Sequence, residues 1–453
     1  MQQSISYRDR DGFVVLKDRV IYRYVTHAYA PAYNWLMQSG LHEKLVTEGL
    51  LIDHAEGVLA RDEQAYYRVL IPEIIHNISL PSEWTANQWK DIVLAFLKIN
   101  TIAINYGMIL KDATPFNFTF HEGRCVFFDT LSFELYKEGQ PWIAYRQFCE
   151  SMLGPMALIF FNDTAWSKLL GIAIEGWELP FISRNLPRKT WFNTTLLLHI
   201  HLHAKFRNNS RRKINNHTSF NKPKLVALWG MIQKAVASWQ YSRHPQHWVR
   251  YYDKEIASNT YINSKISIAI QWLEELTPSC VIDLGANNGR FSEIAALYAG
   301  EVIAIEMDHD CTDKIYLSTK GKNTKNIKTI LADIAQPTPG AGWANEEKTS
   351  LINRLRGDMI LALALIHHLC ISRNVPLSFI AQLFANITTG YAIVEFVPKS
   401  DAKVQEMLQN REDIFHDYHE EEFISRFQVY FTLVYTHECG SSGRKIFLWK
   451  KRG

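Results

Sequence analysis

The chain has 453 residues, of which 47% are hydrophobic and 21% charged, and its formal net charge is +3. This length exceeds what one hydrophobic core usually supports, so we expect two or three domains. So small a net charge offers no general argument for a nucleic-acid partner, and without an apolar run of about 18 residues we expect no membrane span.

Two further features bear on the compartment in which the protein works. The N-terminal residues lack the basic start and apolar core of a signal peptide. Six cysteines are scattered along the chain without a C-x-x-C pair. This pattern is typical of buried thiols in a reducing compartment and not of disulfides or a cysteine zinc site. Both features predict a cytoplasmic location.

The first half begins with alternating strand and helix patterns. Gly12–Val25 is typical of a β-hairpin with a Lys-Asp turn, and Ala30–Leu51 has the apolar spacing of a helix. Tyr66–Ile75 has the composition of a strand, and Trp84–Tyr106 that of a long helix pair. We therefore expect an α+β domain at the N-terminus.

A constellation of polar residues follows the long helical segment. Asp112 and Asn117 belong to one short loop, and a predicted hairpin then leads to Asp129. This pattern resembles the catalytic loop and metal-binding segment of the protein-kinase-like phosphotransferases. The resemblance implies that Asp112 orients an acceptor hydroxyl and that Asn117 and Asp129 bind Mg²⁺ beside ATP.

The N-terminal half departs from the kinase pattern in three places. Gly12 stands alone, so no glycine-rich phosphate loop is evident, and Asp129 is followed by Thr-Leu-Ser in place of Phe-Gly. No strand lysine is evident either, although Arg23 can serve as a fixed cation. Three interpretations remain: a kinase-like domain without catalysis, a divergent sugar or small-molecule kinase, and an unrelated α+β domain whose Asp and Asn residues cap turns.

A basic, asparagine-rich stretch separates the two halves of the chain. Arg207–Lys224 contains few apolar residues, which is typical of a solvated connector. The amphipathic stretch Leu225–Gln240 after it predicts a helix that leads into the next domain. We therefore expect a kinase-like domain at 1–206, a linker with a connecting helix at 207–245, and a second domain at 246–453.

The second half opens with a glycine-containing motif. An apolar run ends in Asp283, a turn with Gly285 and Gly289 follows, and a second apolar run ends in Glu306. This order describes a strand, a tight turn, a helix and a second strand ending in a carboxylate, as in nucleotide-binding βαβ units. Continued strand–helix alternation predicts an α/β domain whose parallel sheet is covered by helices on both faces.

The motif Asp283–Gly289 resembles the first motif of the Rossmann-like S-adenosylmethionine-dependent methyltransferases. The resemblance covers residues 246–453 and implies S-adenosylmethionine as the cofactor. The expected contacts are the amino-acid part of the cofactor for Asp283, Gly285 and Gly289, the ribose hydroxyls for Glu306, and the adenine amine for Asp333.

Asn287 stands where a second glycine is usual in this motif. Asparagine tolerates left-handed backbone better than most residues, so we keep Asn287 among the cofactor-binding residues. A dinucleotide-binding dehydrogenase and a plain βα turn are the competing interpretations of the same turn.

Candidate acid–base residues follow the next buried strand. A long apolar segment ends in His367 and His368, and in the resembled fold this strand end faces the methyl group. A general base suits methylation of a hydroxyl, which loses its proton as the methyl group arrives; alternatively, these histidines only hydrogen-bond to backbone. Glu395, Lys399 and Asp401 at the next strand end are candidates for an acceptor pocket or for a charged loop.

The stretches Ala362–Leu369, Val394–Asp401 and Arg411–Phe415 resemble the methyltransferase family that includes rhizobial nodulation proteins of the Noe type. This resemblance implies a small-molecule or glycan acceptor. The chain is therefore predicted to be bifunctional, with methyl transfer to a hydroxyl of a carbohydrate, glycolipid or other small molecule. The alternatives are a divergent kinase with a second or regulatory methyltransferase domain, and a scaffold of two inactive folds.

Overall fold

The computed structural model describes residues 9–18, 20–60, 63, 65–207, 221–241, 259–409, 411–440 and 443–453. The chain forms two compact units. The first contains 1–242 together with 340–348, and the second contains 243–339 and 349–453. The segment 340–348, expected in the second domain, is thus grouped with the first unit. Of the predicted linker with its connecting helix at 207–245, residues 208–220 and 242–245 lie outside the described residues.

An antiparallel sheet of four strands opens the first unit. Its strands lie in the order β1-β2-β4-β3; they are β1 (Gly12–Lys17), β2 (Val20–Val25), β3 (His54–Glu56) and β4 (Arg68–Pro72). β1 and β2 pair along their whole length, so the predicted hairpin is present. The strand predicted at 66–75 is present in a shorter form.

The helices of the first unit partly differ from the sequence-based expectation. They are α1 (Ala30–Gln38), α2 (Leu41–Thr47), α3 (Ala86–Ala103), α4 (Tyr145–Gln147), α5 (Gly154–Phe161), α6 (Trp166–Leu169), α7 (Leu179–Asn185), α8 (Thr194–Leu196), α9 (His203–Arg207) and α10 (Lys222–Ser238). The single helix predicted at 30–51 is two helices, because Gly40 between them has a φ of 81°. The predicted pair at 84–106 is one helix, capped by Thr85, with a short 3₁₀ turn after it.

The polar loop of the first unit lies between short strands. These are β5 (Met108–Leu110), β6 (Phe118–His121), β7 (Arg124–Phe127) and β8 (Phe133–Leu135), of which β6 pairs with β7 and β5 with β8. The predicted hairpin between Asn117 and Asp129 is therefore present. The amphipathic helix after the basic stretch, α10, packs on α3 within the first unit, where its Trp229 lies against Trp142.

The second unit is built on a seven-stranded sheet. Its strands are β9 (Cys280–Leu284), β10 (Glu301–Glu306), β11 (Ile327–Leu331), β12 (Gly357–Ala362), β13 (Thr388–Phe396), β14 (Phe431–Glu438) and β15 (Lys445–Lys451). They lie in the order β11-β10-β9-β12-β13-β15-β14. The first five are parallel, as predicted, and β15 runs antiparallel to both of its neighbours.

Helices cover both faces of this sheet. They are α11 (Asn259–Leu276), α12 (Arg290–Ala295), α13 (His309–Lys322), α14 (Leu351–Arg354), α15 (Leu377–Ile387), α16 (Ala402–Leu408) and α17 (Glu420–Gln428). Along β9, Ile282 belongs to the apolar cluster that contains α15 residues, whereas Val281 belongs to the cluster that contains Trp272 of α11. Burial on both faces explains why the parallel strands are continuous apolar runs.

Two of the sequence-based expectations concern cysteines and membrane spans. All six cysteines are free, as the absence of a paired pattern predicted. Among the helices in the described parts of the chain, none combines the length and the apolar composition that a membrane span requires.

Candidate functional site

The turn after β9 depends on three residues with left-handed backbone. Gly285, Asn287 and Gly289 have φ values of 75°, 50° and 81°. A Cβ at Gly289 would lie 2.8 Å from Cγ1 of Ile315, so both conformation and space require glycine there. Asparagine at 287 adopts the left-handed conformation that the motif needs, which explains how the chain can lack the usual second glycine.

Glu306, the last residue of β10, holds this turn in place. Its Oε2 accepts a hydrogen bond from the backbone N–H of Asn287 at 2.8 Å, and its Oε1 accepts one from the N–H of Asp308, also at 2.8 Å. The side chain is almost fully buried, and this burial raises its pKa against the opposing effect of the backbone hydrogen bonds. Each oxygen keeps a lone pair that can accept a further hydrogen bond.

A cleft of about 280 Å³ lies at the carboxyl ends of the strands. Its lining comes from the loops after β9, β10, β11 and β12, which the parallel topology brings to one edge of the sheet. The polar residues among its lining are Asn287, Glu306, Asp333, His368, Ser372 and Arg373. Four of the predicted cofactor residues, Gly285, Asn287, Glu306 and Asp333, therefore share one cleft.

An ion pair closes one part of the cleft lining. Oδ2 of Asp333 lies 2.5 Å from Nη2 of Arg373, and Oδ1 accepts the backbone N–H of Ala335 at 2.9 Å. Sequence reasoning missed Arg373 because no local pattern links it to an aspartate 40 residues earlier. The pair holds the loop after β11 to the loop after β12.

Asp283 is not among the described lining residues of the cleft. Its carboxylate is buried and accepts a hydrogen bond from Oγ of Ser292 on α12 at 2.5 Å. Burial raises the pKa of Asp283 to about 6, and the charge of Glu306 adds to this effect. Gly289 is also absent from the described cleft lining; both residues therefore shape the turn in this structure.

The two predicted histidines have different environments. His368 lines the cleft, and burial together with the charge of Arg444 lowers its pKa to about 4. His367 is fully buried, and neither of its ring nitrogens has a hydrogen-bond partner within the described part of the chain. The two rings are tilted by 39° to one another, with centroids 4.1 Å apart. His368 is thus the histidine that reaches the cleft.

A buried charged cluster surrounds the carboxyl end of β13. Glu395 accepts hydrogen bonds from Nζ of Lys265, at 2.5 Å, and from the hydroxyl of Tyr261, both on α11. Arg444 pairs with Asp401 through two contacts of 2.8 and 3.0 Å and donates to the Tyr261 hydroxyl at 3.0 Å. The sequence pointed to Glu395 and Asp401, but only the fold shows their cationic partners.

Lys399, the third residue predicted at this strand end, lies apart from the buried cluster. Its Nζ is 2.9 Å from Asp413 in an exposed ion pair. The three charged residues of the Val394–Asp401 stretch therefore occupy two different environments.

The polar residues of the N-terminal constellation lie together in the first unit. Nδ2 of Asn117 donates to Asp129 at 3.1 Å and to Asp112 at 3.4 Å. Arg23 of β2 forms an ion pair with Asp129. Burial alone would raise the pKa of Asp129, but the Arg23 guanidinium and the neighbouring hydrogen bonds hold it below its usual value. The sequence-based expectation that Arg23 acts as a fixed cation agrees with this geometry.

This chain resembles known proteins along its whole length and in parts. No protein-family model matches it. It is 30% identical to nodulation protein NoeA of Rhizobium meliloti (strain 1021) over 462 aligned residues, which cover 98% of this chain and 95% of that protein. The chain belongs to the NoeA family of nodulation proteins.

Two further similarities concern parts of this NoeA-family chain. A stretch of 89 residues, 19% of the chain, is 33% identical to a fifth of the 23S rRNA (uracil(1939)-C(5))-methyltransferase RlmD of Pseudomonas putida. The crystal structure of N-methyltransferase NodS from Bradyrhizobium japonicum WM9 in complex with S-adenosyl-L-homocysteine aligns to 46% of this chain and all of that chain. Its TM-score is 0.33 and its identity 13%.

The second unit has the architecture of a Rossmann-like methyltransferase domain. Its sheet order, its glycine-containing turn and its acids after β9, β10 and β11 occur together. The protein is an S-adenosylmethionine-dependent methyltransferase. The cleft suits this cofactor, because its carboxylates can accept hydrogen bonds from a diol and an amine. Among the described lining residues there is no lysine of the kind that phosphate binding uses.

The raised pKa of Asp283 predicts how stability depends on pH. The folded state binds this proton more tightly than the unfolded chain, whose aspartate titrates near pH 3.8. Stability from this group is therefore greatest below about pH 4 and is lost as the pH rises to about 6, by on the order of 3 kcal/mol. Asp283→Asn should remove this loss.

Thermal melts of both proteins between pH 4 and 8 measure this effect. The melting temperature of Asp283→Asn minus that of the unsubstituted protein should grow as the pH rises to about 6 and then level off. The exposed Asp417→Asn is the matched control and should show no such trend. A difference that stays constant across this range would contradict the assignment.

Proposed function

We propose that this protein transfers the methyl group of S-adenosylmethionine to a hydroxyl oxygen of a carbohydrate, glycolipid or other small molecule. The observation that carries the proposal is the position of His368 in the same cleft as Glu306 and Asp333. A proton acceptor beside the cofactor-binding acids is what methylation of a hydroxyl needs.

Glu306 and Asp333 are the residues that would hold the adenosine part of the cofactor. Glu306 would accept the ribose hydroxyls while its backbone hydrogen bonds keep the carboxylate fixed. Asp333, oriented by Arg373, would accept from the adenine amine. Gly285 and Asn287, with Asp283 and Gly289 supporting the turn, would bring backbone groups close to the amino-acid part.

His368 would take the proton of the acceptor. The bound cofactor supplies an electrophilic methyl group on a sulfonium sulfur, which keeps the electron pair of the broken C–S bond. As the acceptor oxygen bonds to the methyl carbon, its proton passes to the ring of His368. Because the pKa of His368 is lowered to about 4, the imidazole is neutral at pH 7 and has a free lone pair for the proton. The remaining contribution is alignment of the two reactants.

The charged cluster beside the cleft would shape the acceptor side. Glu395 and Asp401 are held by Lys265 and Arg444 at the end of β13, next in the sheet to β12, which leads to His368. Since both carboxylates are paired with cations, this buried cluster adds no net charge at the strand end. This arrangement favours a neutral acceptor such as a sugar hydroxyl.

The carboxylate of Glu306 should be needed for tight binding of the cofactor. Glu306→Gln should weaken binding of S-adenosyl-L-homocysteine about 10- to 100-fold, because charge-assisted hydrogen bonds to the ribose are lost. Isothermal titration calorimetry measures the affinity, and a thermal melt checks that the variant is folded. The control Glu274→Gln changes an exposed residue of α11 and should leave the affinity unchanged. An affinity within twofold of the unsubstituted protein for Glu306→Gln would refute this role.

The imidazole of His368 should be needed for rapid methyl transfer. His368→Gln should lower the rate of methyl transfer about 10²- to 10⁴-fold and leave cofactor affinity nearly unchanged. Extracts incubated with isotopically labelled S-adenosylmethionine supply the acceptor, and mass spectrometry follows the labelled product. The exposed His416→Gln is the control and should retain activity. Label that alkali releases as an ester, or label on nitrogen, would contradict methylation of a hydroxyl.

The N-terminal unit supports a second candidate function, a divergent kinase-like phosphotransferase. The specific observation is that Asp112, Asn117 and Asp129 lie together beside Arg23. Oxygen ligands of this kind suit Mg²⁺. Arg23 already neutralises Asp129, however, so a magnesium ion would have to compete with the guanidinium. This favours nucleotide binding with weak or no catalysis over an efficient kinase.

A thermal-shift experiment tests the kinase-like interpretation. ATP with Mg²⁺ should raise the melting temperature of the full-length protein, and Asp129→Asn should remove this rise. Asp163→Asn, an exposed change in the same unit, should retain it. If the unsubstituted protein shows no nucleotide-dependent shift, the first unit is not a nucleotide-binding kinase-like domain.

A further inference from the structure

A second cluster of polar side chains lies in the first unit, apart from the Asp129 constellation. His42 lies in the first turn of α2, and Asp53 and His54 lie where the chain enters β3. One ligand atom from each of these three residues lies within 4.8 Å of the other two. Nε2 of His42 is 3.1 Å from Nδ1 of His54 and 3.8 Å from Oδ1 of Asp53.

These distances suit a small tetrahedral metal ion. Two nitrogens bound to zinc at about 2.0–2.1 Å lie roughly 3.3 Å apart in a tetrahedron, close to the separation of the two imidazole nitrogens. The Asp53 side chain is 60% exposed, so its carboxylate has room to rotate toward the two imidazole nitrogens. Imidazole and carboxylate together are a common donor set for Zn²⁺.

A hydrogen-bond chain behind His54 fixes the tautomer that metal binding needs. The hydroxyl of Tyr33 donates its single proton to Oε1 of Glu56 at 2.7 Å. Its oxygen therefore accepts from Nε2 of His54, 3.1 Å away, and Nε2 carries the proton. Nδ1 of His54 consequently has a lone pair, which faces His42. In protein metal sites a ligating histidine usually donates its other ring N–H to a fixed acceptor; here that acceptor is the Tyr33 hydroxyl, which Glu56 orients.

We propose that His42, Asp53 and His54 bind one zinc ion, with the fourth coordination position open to solvent beside the exposed Asp53. The ion would lie between Nε2 of His42 and Nδ1 of His54, the proton of His42 would move to its Nδ1, and the ion would tie helix α2 to strand β3. This site is separate from methyl transfer and from the Asp112–Asn117–Asp129 constellation. Its role would be to stabilise the small antiparallel sheet of the first unit.

The protonation state of the cluster is compatible with metal binding at neutral pH. Burial lowers the pKa of His42, and burial together with His42 lowers that of His54 to about 4. Asp53 and Glu56 act in the opposite direction on His54, and Arg23 acts in the same direction as burial.

Zinc binding can be measured directly on the full-length protein without an affinity tag. After treatment with a chelator, titration with Zn²⁺ should show one tight site per chain and a higher melting temperature, and Co²⁺ should produce the visible absorption of a tetrahedral complex. His54→Ala and Asp53→Asn should abolish this site. His27→Ala, which removes an exposed histidine of the same unit, should retain it.

A milder variant keeps the test informative if a ligand variant fails to fold. Tyr33→Phe removes the support of the His54 tautomer and should weaken zinc binding about 10- to 100-fold without removing a ligand. Zinc binding that persists unchanged in both His54→Ala and Tyr33→Phe, or an unsubstituted protein without a tight site, would overturn the proposal.

Discussion

The cleft of the methyltransferase unit depends on the carboxylate of Glu306. This side chain accepts one hydrogen bond from a backbone N–H of the turn after β9 and one from a backbone N–H of the loop after β10. It therefore joins two loops that are adjacent only because β9 and β10 are parallel neighbours. Without an acceptor there, two backbone donors in a nearly buried place would be unpaired, which is costly. The same carboxylate faces the cleft, so the group that stabilises the turn is also available to a ligand.

The other acids of this unit differ in burial, and their contacts differ accordingly. Asp333 lines the cleft and is held by Arg373, whereas Asp283 is buried against Ser292 with a raised pKa. Glu395 is fully buried and is compensated by Lys265. Each of these three acids has a hydrogen-bond or ion-pair partner, as the cost of desolvation requires. Glu306 is the acid best suited to bind a ligand, because it lines the cleft and each of its oxygens keeps a lone pair that can accept a hydrogen bond.

In the N-terminal unit, too, the polar side chains of each cluster are paired with one another. Arg23 compensates Asp129, and the shared amide of Asn117 keeps Asp112 and Asp129 together. The histidine pair near α2 and β3 is neutral and is oriented by Tyr33 and Glu56. Both clusters are built by residues distant in sequence that the small sheet and its flanking helices bring together.

The sequence by itself determined the strand and helix order of the methyltransferase unit, the left-handed turn from Gly285 to Gly289 and the acids at successive strand ends. These features follow from local patterns, namely the apolar runs, the positions of the glycines and the spacing of the apolar residues. It also determined the hairpin at β1 and β2 and the loop that carries Asp112 and Asn117. It misjudged the helix at 30–51, because Gly40 breaks it, and the helix pair at 84–106, because the Thr85 cap and an uninterrupted buried face make one helix.

Only the tertiary structure decided which side chains meet. His368 lines the cleft and His367 does not, and the carboxylate of Asp283 accepts a hydrogen bond from Ser292. Lys399 pairs with Asp413 and lies apart from Glu395. The fold also shows the partners of the acids, which are Arg373, Lys265, Tyr261 and Arg444. These pairings join residues up to 183 positions apart. Local propensity and periodicity fix which face of a strand or helix a residue occupies. They carry no information on its partner, because sheet order and helix packing determine that partner.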